Sequence, residues 1–202
     1  MPVTPAYIWF DAEFSSLDLD HAELLQVAVM ATDAALNPLS SPEGDLNLFV
    51  QVENPDAISP WVRENIPQIV DGCLSADAVE VEVVDNMLAA YVDQISGGPI
   101  DSIHDRPILA GNSVHNDWHL ARRLLPAFIT RLHYRLLDVS TFKVQWQDHY
   151  GEAEFDKDTH ENIREYFPQA RLSEGLAGHD AYYDIQASIA ELAFYRSRLI
   201  KG

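Results

Sequence analysis

Apolar positions in this chain fall into short strand-like runs first and helically spaced sets later. Tyr7 to Phe14 is apolar and aromatic except at Asp11 and Glu13, and reads as a strand. Leu24 to Ala31 and Leu46 to Val52 read as two more, with Asn37-Pro38 and a Ser40 to Gly44 loop between them. Connections this short predict an antiparallel meander. From Ser59-Pro60-Trp61 the pattern turns helical, and a second helix is expected from about Asp77 to Ile95, ended by Gly97-Gly98-Pro99. Pro107 to Ser113 reads as a strand, followed by a helix from His115 to Leu125 that Pro126 stops. Arg135 to Thr141 repeats the scheme, with Asp138 or Ser140 available as a helix cap. The stretch 147–178 is polar, acidic and broken by Gly151, Pro168 and Gly175, so a surface excursion with a short helix near Glu161 to Phe167 is expected. The last helix begins near Asp180 and carries Ile185, Ile189, Leu192, Ala193 and Leu199 at helical spacing. A meander followed by strand–helix units defines an α/β fold, a mixed sheet with flanking helices.

Length and composition narrow this. A chain of 202 residues with 47% hydrophobic positions can bury one full core, which predicts a single domain over 1–202. One cysteine, Cys73, excludes an intramolecular disulfide and a cysteine-based zinc site, and suits a reducing compartment. With no apolar run near the ~18 residues of a membrane span and no leader-like N-terminus, a cytoplasmic protein without membrane contact is expected. The net charge of −19 argues against a long nucleic-acid footprint, which needs many Lys and Arg contacts to phosphate. Any anionic substrate must be short, or held by a few local groups and metal.

Charge also isolates the candidate chemistry. Alternation along a strand puts Asp11 and Glu13 on one face, roughly 7 Å apart. Acid-x-acid pairs recur at Asp18/Asp20, Glu80/Glu82, Glu152/Glu154 and Asp156/Asp158, as a solvated acidic surface would produce by chance. Only Asp11/Glu13 lies among bulky apolar neighbours, where two co-facing carboxylates repel unless a cation sits between them. Hard oxygen ligands of this kind suit Mg²⁺ or Mn²⁺. Sites in α/β sheets gather at strand ends and helix starts, so Asp117, His179 and Asp184 are expected to converge on the same place.

Taken in order, Phe10-Asp11-Ala12-Glu13, Gly111-Asn112-Ser113-Val114-His115-Asn116-Asp117 and His179-Asp180-Ala181-Tyr182-Tyr183-Asp184 resemble the three motifs of the DEDDh exonuclease superfamily. His133-Tyr134-Arg135, Leu137 to Thr141 and the run from Ile185 to Arg196 make the chain more closely similar to the oligoribonuclease family. That resemblance implies an RNase H-like, DnaQ-like fold and a homodimer that hydrolyses short RNAs, especially dinucleotides, to nucleoside 5′-monophosphates. By the same resemblance Asp11, Glu13, Asp117 and Asp184 hold two divalent cations and His179 is the general base. Leu17 and Trp61 match the residues that sandwich the bases. Ser113, Arg135 and Ser140 match the group capping the 5′ phosphate, which Tyr134 reaches from the other subunit. The chain departs from the family at Phe14-Ser15-Ser16, at His115 where glycine is common, and at Ile66, near where a substrate-contacting histidine is expected.

The residue types support such chemistry in their own right. Four carboxylates can hold two metals that activate water and stabilise the leaving oxygen of a phosphodiester. An imidazole can accept the water proton at neutral pH, and the position of His179 before the last helix suggests a movable loop. Two other readings compete: a DEDDh exonuclease acting on longer DNA or RNA ends, and a catalytically idle acidic binding module.

Overall fold

The computed structural model describes residues 5–150, 153–172 and 179–199. Five strands form one mixed sheet in the order β3-β2-β1-β4-β5. They are β1 (Tyr7–Phe14), β2 (Leu24–Thr32), β3 (Leu46–Phe49), β4 (Ile108–Gly111) and β5 (Leu136–Asp138). The meander is antiparallel as its short connections require, β1 against β2 and β2 against β3. β4 and β5 join on the other side of β1 as parallel strands. The central strand therefore has an antiparallel neighbour on one side and a parallel one on the other. Gly111 ends β4 against the β1 backbone, where an added Cβ would lie 2.9 Å from the Phe10 carbonyl oxygen.

Alternation along β1 sorts its side chains between two cores. Ile8, Phe10 and Ala12 face one, covered by α3 (Val81–Ser96), α4 (His115–Leu124) and α5 (Pro126–Ile129). Trp9 faces the other, with α6 (Val139–Tyr150), α7 (His160–Tyr166) and α8 (Ala181–Leu199). A third cluster joins Leu25 to α1 (Pro60–Asn65) and α2 (Pro67–Cys73), and Ile66 is buried within it, which makes it a packing residue. α3 starts later than its hydrophobic pattern suggests and ends at Gly97, whose φ of 77° is the left-handed close typical of a glycine after a helix. Pro126 stops α4 and at the same time opens α5.

The expected surface excursion over 147–178 is corrected by the structure. α6 continues to Tyr150, and Phe155, Ile163, Phe167 and Leu172 are all buried against the α8 side of the sheet. The reason lies in α8, which is buried on nearly every side and so needs a cover on the side the sheet does not reach. Among the described residues, Asp148, Glu154, Asp156, Asp158, Glu161 and Glu165 are exposed and form the outer side of that cover. Its residues 151–152 and 173–178 lie outside the described residues.

Candidate active site

Asp11 and Glu13 share the β1 face that carries Trp9, and both emerge where the strand ends. A register irregularity between Glu13 and Phe14 turns the chain there, so Glu13 is the last regular position on that face. Asp184, in the first turn of α8, meets them from the helix that covers this face. Ligand oxygens of Asp11, Glu13 and Asp184 all lie within 4.8 Å of one another. Asp117 reaches the same strand end from α4, and its Oδ1 accepts the Ala12 N–H at 3.0 Å. It stands beside Asp11, outside the converged triple.

Burial and mutual repulsion dominate the electrostatics. Burial pushes the Asp11 carboxyl well above its usual range, and the charges of Asp117, Asp184 and Glu13 push it further. Glu13 is raised to about 7, by burial first and then by Asp184 and Asp180. Asp117 is raised mainly by burial, against the pull of the Ala12 N–H. Lys157 works the other way, drawing Asp11 and Glu13 down. A site whose acids are pushed toward protonation by one another, and whose donors are all carboxylate oxygens, fits a hard divalent cation.

His179 sits at the mouth of this cluster. Its φ of 66° is left-handed, and its backbone N–H donates to Asp184 Oδ2 at 2.9 Å. Its ring meets Trp61 edge to face, with centroids 5.7 Å apart. On the far side the turn is tied down rather than loose. Asp180 caps α8 by accepting the N–H groups of Tyr182 and Tyr183, and its other oxygen accepts from Gln26 Nε2 at 3.0 Å. Gln26, buried on β2 opposite Glu13, accepts the Ala181 N–H and also donates to Asn47. Further along, an ion pair joins Arg171 to Asp45, which also accepts the Tyr182 hydroxyl of α8.

Beside His179 a groove of about 560 Å³ is lined by Glu13, Leu17, Trp61 and Ile66 among others. Leu17 is 90% exposed and Trp61 52% exposed, so both present apolar surface to whatever enters. Ser113 and Ser140 also come together, in one cluster. The Ser113 N–H donates to Ser140 Oγ at 2.8 Å and to Asp138 Oδ1 at 3.0 Å, and the two hydroxyls are 3.2 Å apart. Asp138 also accepts the Ser140 N–H, the structural part the sequence suggests for it. Asn112 accepts from Ser140 Oγ and donates to Glu191 and Ser188 of α8. His115, the departure from the family glycine, is exposed, with Nδ1 3.7 Å from Asp138 Oδ2. Tyr134 and Arg135 form a separate cluster, the guanidinium 5.5 Å from the ring centroid of Tyr134, which stacks on His133.

Two residues at the site escape a reading of the chain alone, Gln26 and Lys157. Gln26 did leave a trace, as the polar interruption of the otherwise apolar Leu24 to Ala31 run. Lys157 is one of only three lysines in the sequence.

The family model described as RNase_T, exonuclease, matches residues 8–192, and the chain belongs to this exonuclease family. Its similarity extends to the oligoribonucleases. The mitochondrial oligoribonuclease of Homo sapiens is 29% identical over 197 residues, 96% of this chain and 73% of the human protein. A probable oligoribonuclease of Drosophila melanogaster is 30% identical over 198 residues, 96% of this chain and 82% of that protein. That of Francisella tularensis is 25% identical over 203 residues and is matched over 95% of its own length. Among solved structures, Exonuclease I from Methylocaldum szegediense aligns with a TM-score of 0.64 at 17% identity, over 96% of this chain and 41% of that one. E. coli Exonuclease I in complex with a dT13 oligonucleotide gives 0.62 at 14% identity, over 95% of this chain and 41% of that one. The chain thus spans about two fifths of the length of these two structures, and the likeness is one of fold, RNase H-like α/β. The chain is a 3′-to-5′ exonuclease of the oligoribonuclease type, a phosphodiester hydrolase.

Proposed function

We propose that this exonuclease hydrolyses short oligoribonucleotides, above all 5′-phosphorylated dinucleotides, to nucleoside 5′-monophosphates, using two divalent cations. The observation that carries the reading is the convergence of Asp11, Glu13 and Asp184 within 4.8 Å, with His179 bonded to Asp184 at the mouth of the cluster. Asp11, Glu13, Asp184 and Asp117 would hold Mg²⁺ or Mn²⁺. Bound there, the ions supply Lewis-acid stabilisation and acidify the attacking water.

The chain's own residues do the rest. His179 takes the proton from that water, in a turn set by the Asp180–Gln26 anchor. Leu17 and Trp61 flank the bases, with apolar surface already facing the groove. Ser113 and Ser140 offer hydroxyls to the terminal phosphate and Arg135 its guanidinium, a bidentate match for phosphate. Tyr134, 51% exposed, completes this cap across a homodimer. Cys73 is buried and unpaired, in keeping with a reducing cytoplasm, where we place the enzyme.

The test is Mg²⁺-dependent release of monophosphate from RNAs of graded length, two to ten nucleotides, with and without a 5′ phosphate. Fastest turnover of the phosphorylated dinucleotide is expected. Equal or tighter binding of the ten-nucleotide RNA would select the reading in which longer ends are the substrate, and no release from any RNA would select an idle binding module.

A further inference from the structure

The stretch between α6 and α7 delivers Lys157 to the carboxylate centre. We infer that Lys157 is a positioning residue there, an in-built cation that holds Asp184 and competes with divalent ions for it. The inference rests on the metal-dependent reading above.

Lys157 Nζ lies 3.4 Å from Asp184 Oδ1, while the other oxygen of the same carboxylate accepts the His179 N–H at 2.9 Å. One ligand is thus gripped from two sides, by an ammonium and by the histidine turn. The backbone that presents the lysine is itself fixed. Its carbonyl accepts the hydroxyl of Tyr183, a buried residue immediately before Asp184, at 2.6 Å. Asp156 Oδ1 accepts the Asp158 N–H at 2.9 Å, which closes a turn around the lysine, and Phe155 is buried in the α8-side core. Lys143 fastens the start of the stretch to α6 through Glu154, at 2.7 Å. Two of the three lysines in a chain of net charge −19 are therefore committed to this one short segment, one anchoring it and one reaching out of it.

The charge that Lys157 brings acts in the direction a metal would. It opposes the burial and the neighbouring acids that raise Asp11 and Glu13. A single ammonium, half exposed, offsets only part of the repulsion among three carboxylates, so a divalent ion still prevails. To do so it must take Asp184 from the lysine. Two effects follow and are linked: the lysine keeps the ligands converged when no ion is bound, and it lowers the affinity for the ion by the same coupling.

Calorimetric titration of Mn²⁺ into chelator-treated protein tests this, with Lys157→Met retaining the aliphatic stem without its charge. Asp11→Asn serves as the blank that identifies the site. Lys157→Met should bind Mn²⁺ about fivefold more tightly, the upper range for a partly exposed ion pair. The same variant should melt at a lower temperature than the parent when metal-free, and saturating Mn²⁺ should remove the deficit. Lys157→Arg should return both properties toward the parent, which a merely space-filling role would not require. Equal affinity in parent and Lys157→Met, with a signal that Asp11→Asn abolishes, would overturn the role of the lysine and leave the metal centre standing. No Mn²⁺ signal in the parent would overturn both.

Discussion

Acidic side chains from β1, α4 and α8 meet at one strand end within a single chain, whereas the groups that would hold a terminal phosphate lie in two clusters. Ser113 and Ser140 are bonded to each other and tied to α8 through Asn112. Arg135 stacks instead on the exposed Tyr134, beside His133. The first region is built on the central strand and its longest covering helix, which bring three of its four carboxylates together. The second is assembled from a tight turn and a surface strip, and its side chains stand apart in two groups. The carboxylates thus depend on packing within the chain, whereas the proposed phosphate cap depends on groups exposed at its surface.

The largest effect expected from breaking this contrast is at the carboxylates. Asp11→Asn or Asp184→Asn should reduce hydrolysis to background while leaving the metal-free fold as stable or more so, because each removes one charge from a self-repelling group. Activity assays and melting curves on the same preparation check both halves. His179→Ala comes next, with a loss of about two to four decades in kcat and substrate binding largely kept, as for removal of a general base. A KM that rose while kcat held would place the histidine in binding only.

Breaking the other region should be milder and should read out as length preference. Arg135→Ala should erase the advantage of a 5′-phosphorylated dinucleotide over longer RNA, a loss of about one to two decades for one charged hydrogen-bonding partner. Tyr134→Ala should act similarly, and mixing it with inactive Asp11→Asn chains should restore part of the lost dinucleotide activity through heterodimers if the cap is shared between copies, which gel filtration with activity assays would detect. The remaining effect is on stability rather than on activity. Glu13 is raised from 4.5 to about 7 in the folded protein, so the folded state holds a proton that the unfolded chain gives up across that interval. Metal-free protein should therefore lose stability as pH climbs from about 4.5 to 7, by on the order of 3 kcal/mol from this residue, and stay at the lower level above it. Melting temperatures measured with chelator should fall over that window, and Mn²⁺ should flatten the fall.

The chain discloses the first region better than the second for a physical reason. Asp11 and Glu13 announce themselves because a strand pattern makes two acids among aromatic residues costly, and Asp184 because its spacing from His179 resembles the superfamily motif. The pairing of Gln26 with Asp180 spans 154 residues, and nothing local in either position demands it. Lys157 is hidden in another way, inside a stretch whose polar residues outnumber Phe155, Ile163, Phe167 and Leu172. Those four show no clean period because they cap a helix from loops and a short turn of helix, where neither 2 nor 3.6 governs which residue points inward. The described part of the segment packs on α8 through these four residues, which a pattern without a period does not disclose.

Gly111 makes this enzyme vulnerable at a position that carries no functional group. The Phe10 carbonyl oxygen, where any added Cβ would press at 2.9 Å, belongs to the residue that immediately precedes Asp11. Backbone cannot step aside as a flexible side chain can, so even alanine must wedge β4 away from the strand bearing two of the clustered carboxylates. A single methyl group could thus disarm the protein with every acidic residue still in place. An inspection of the ligands alone would score such a descendant as active.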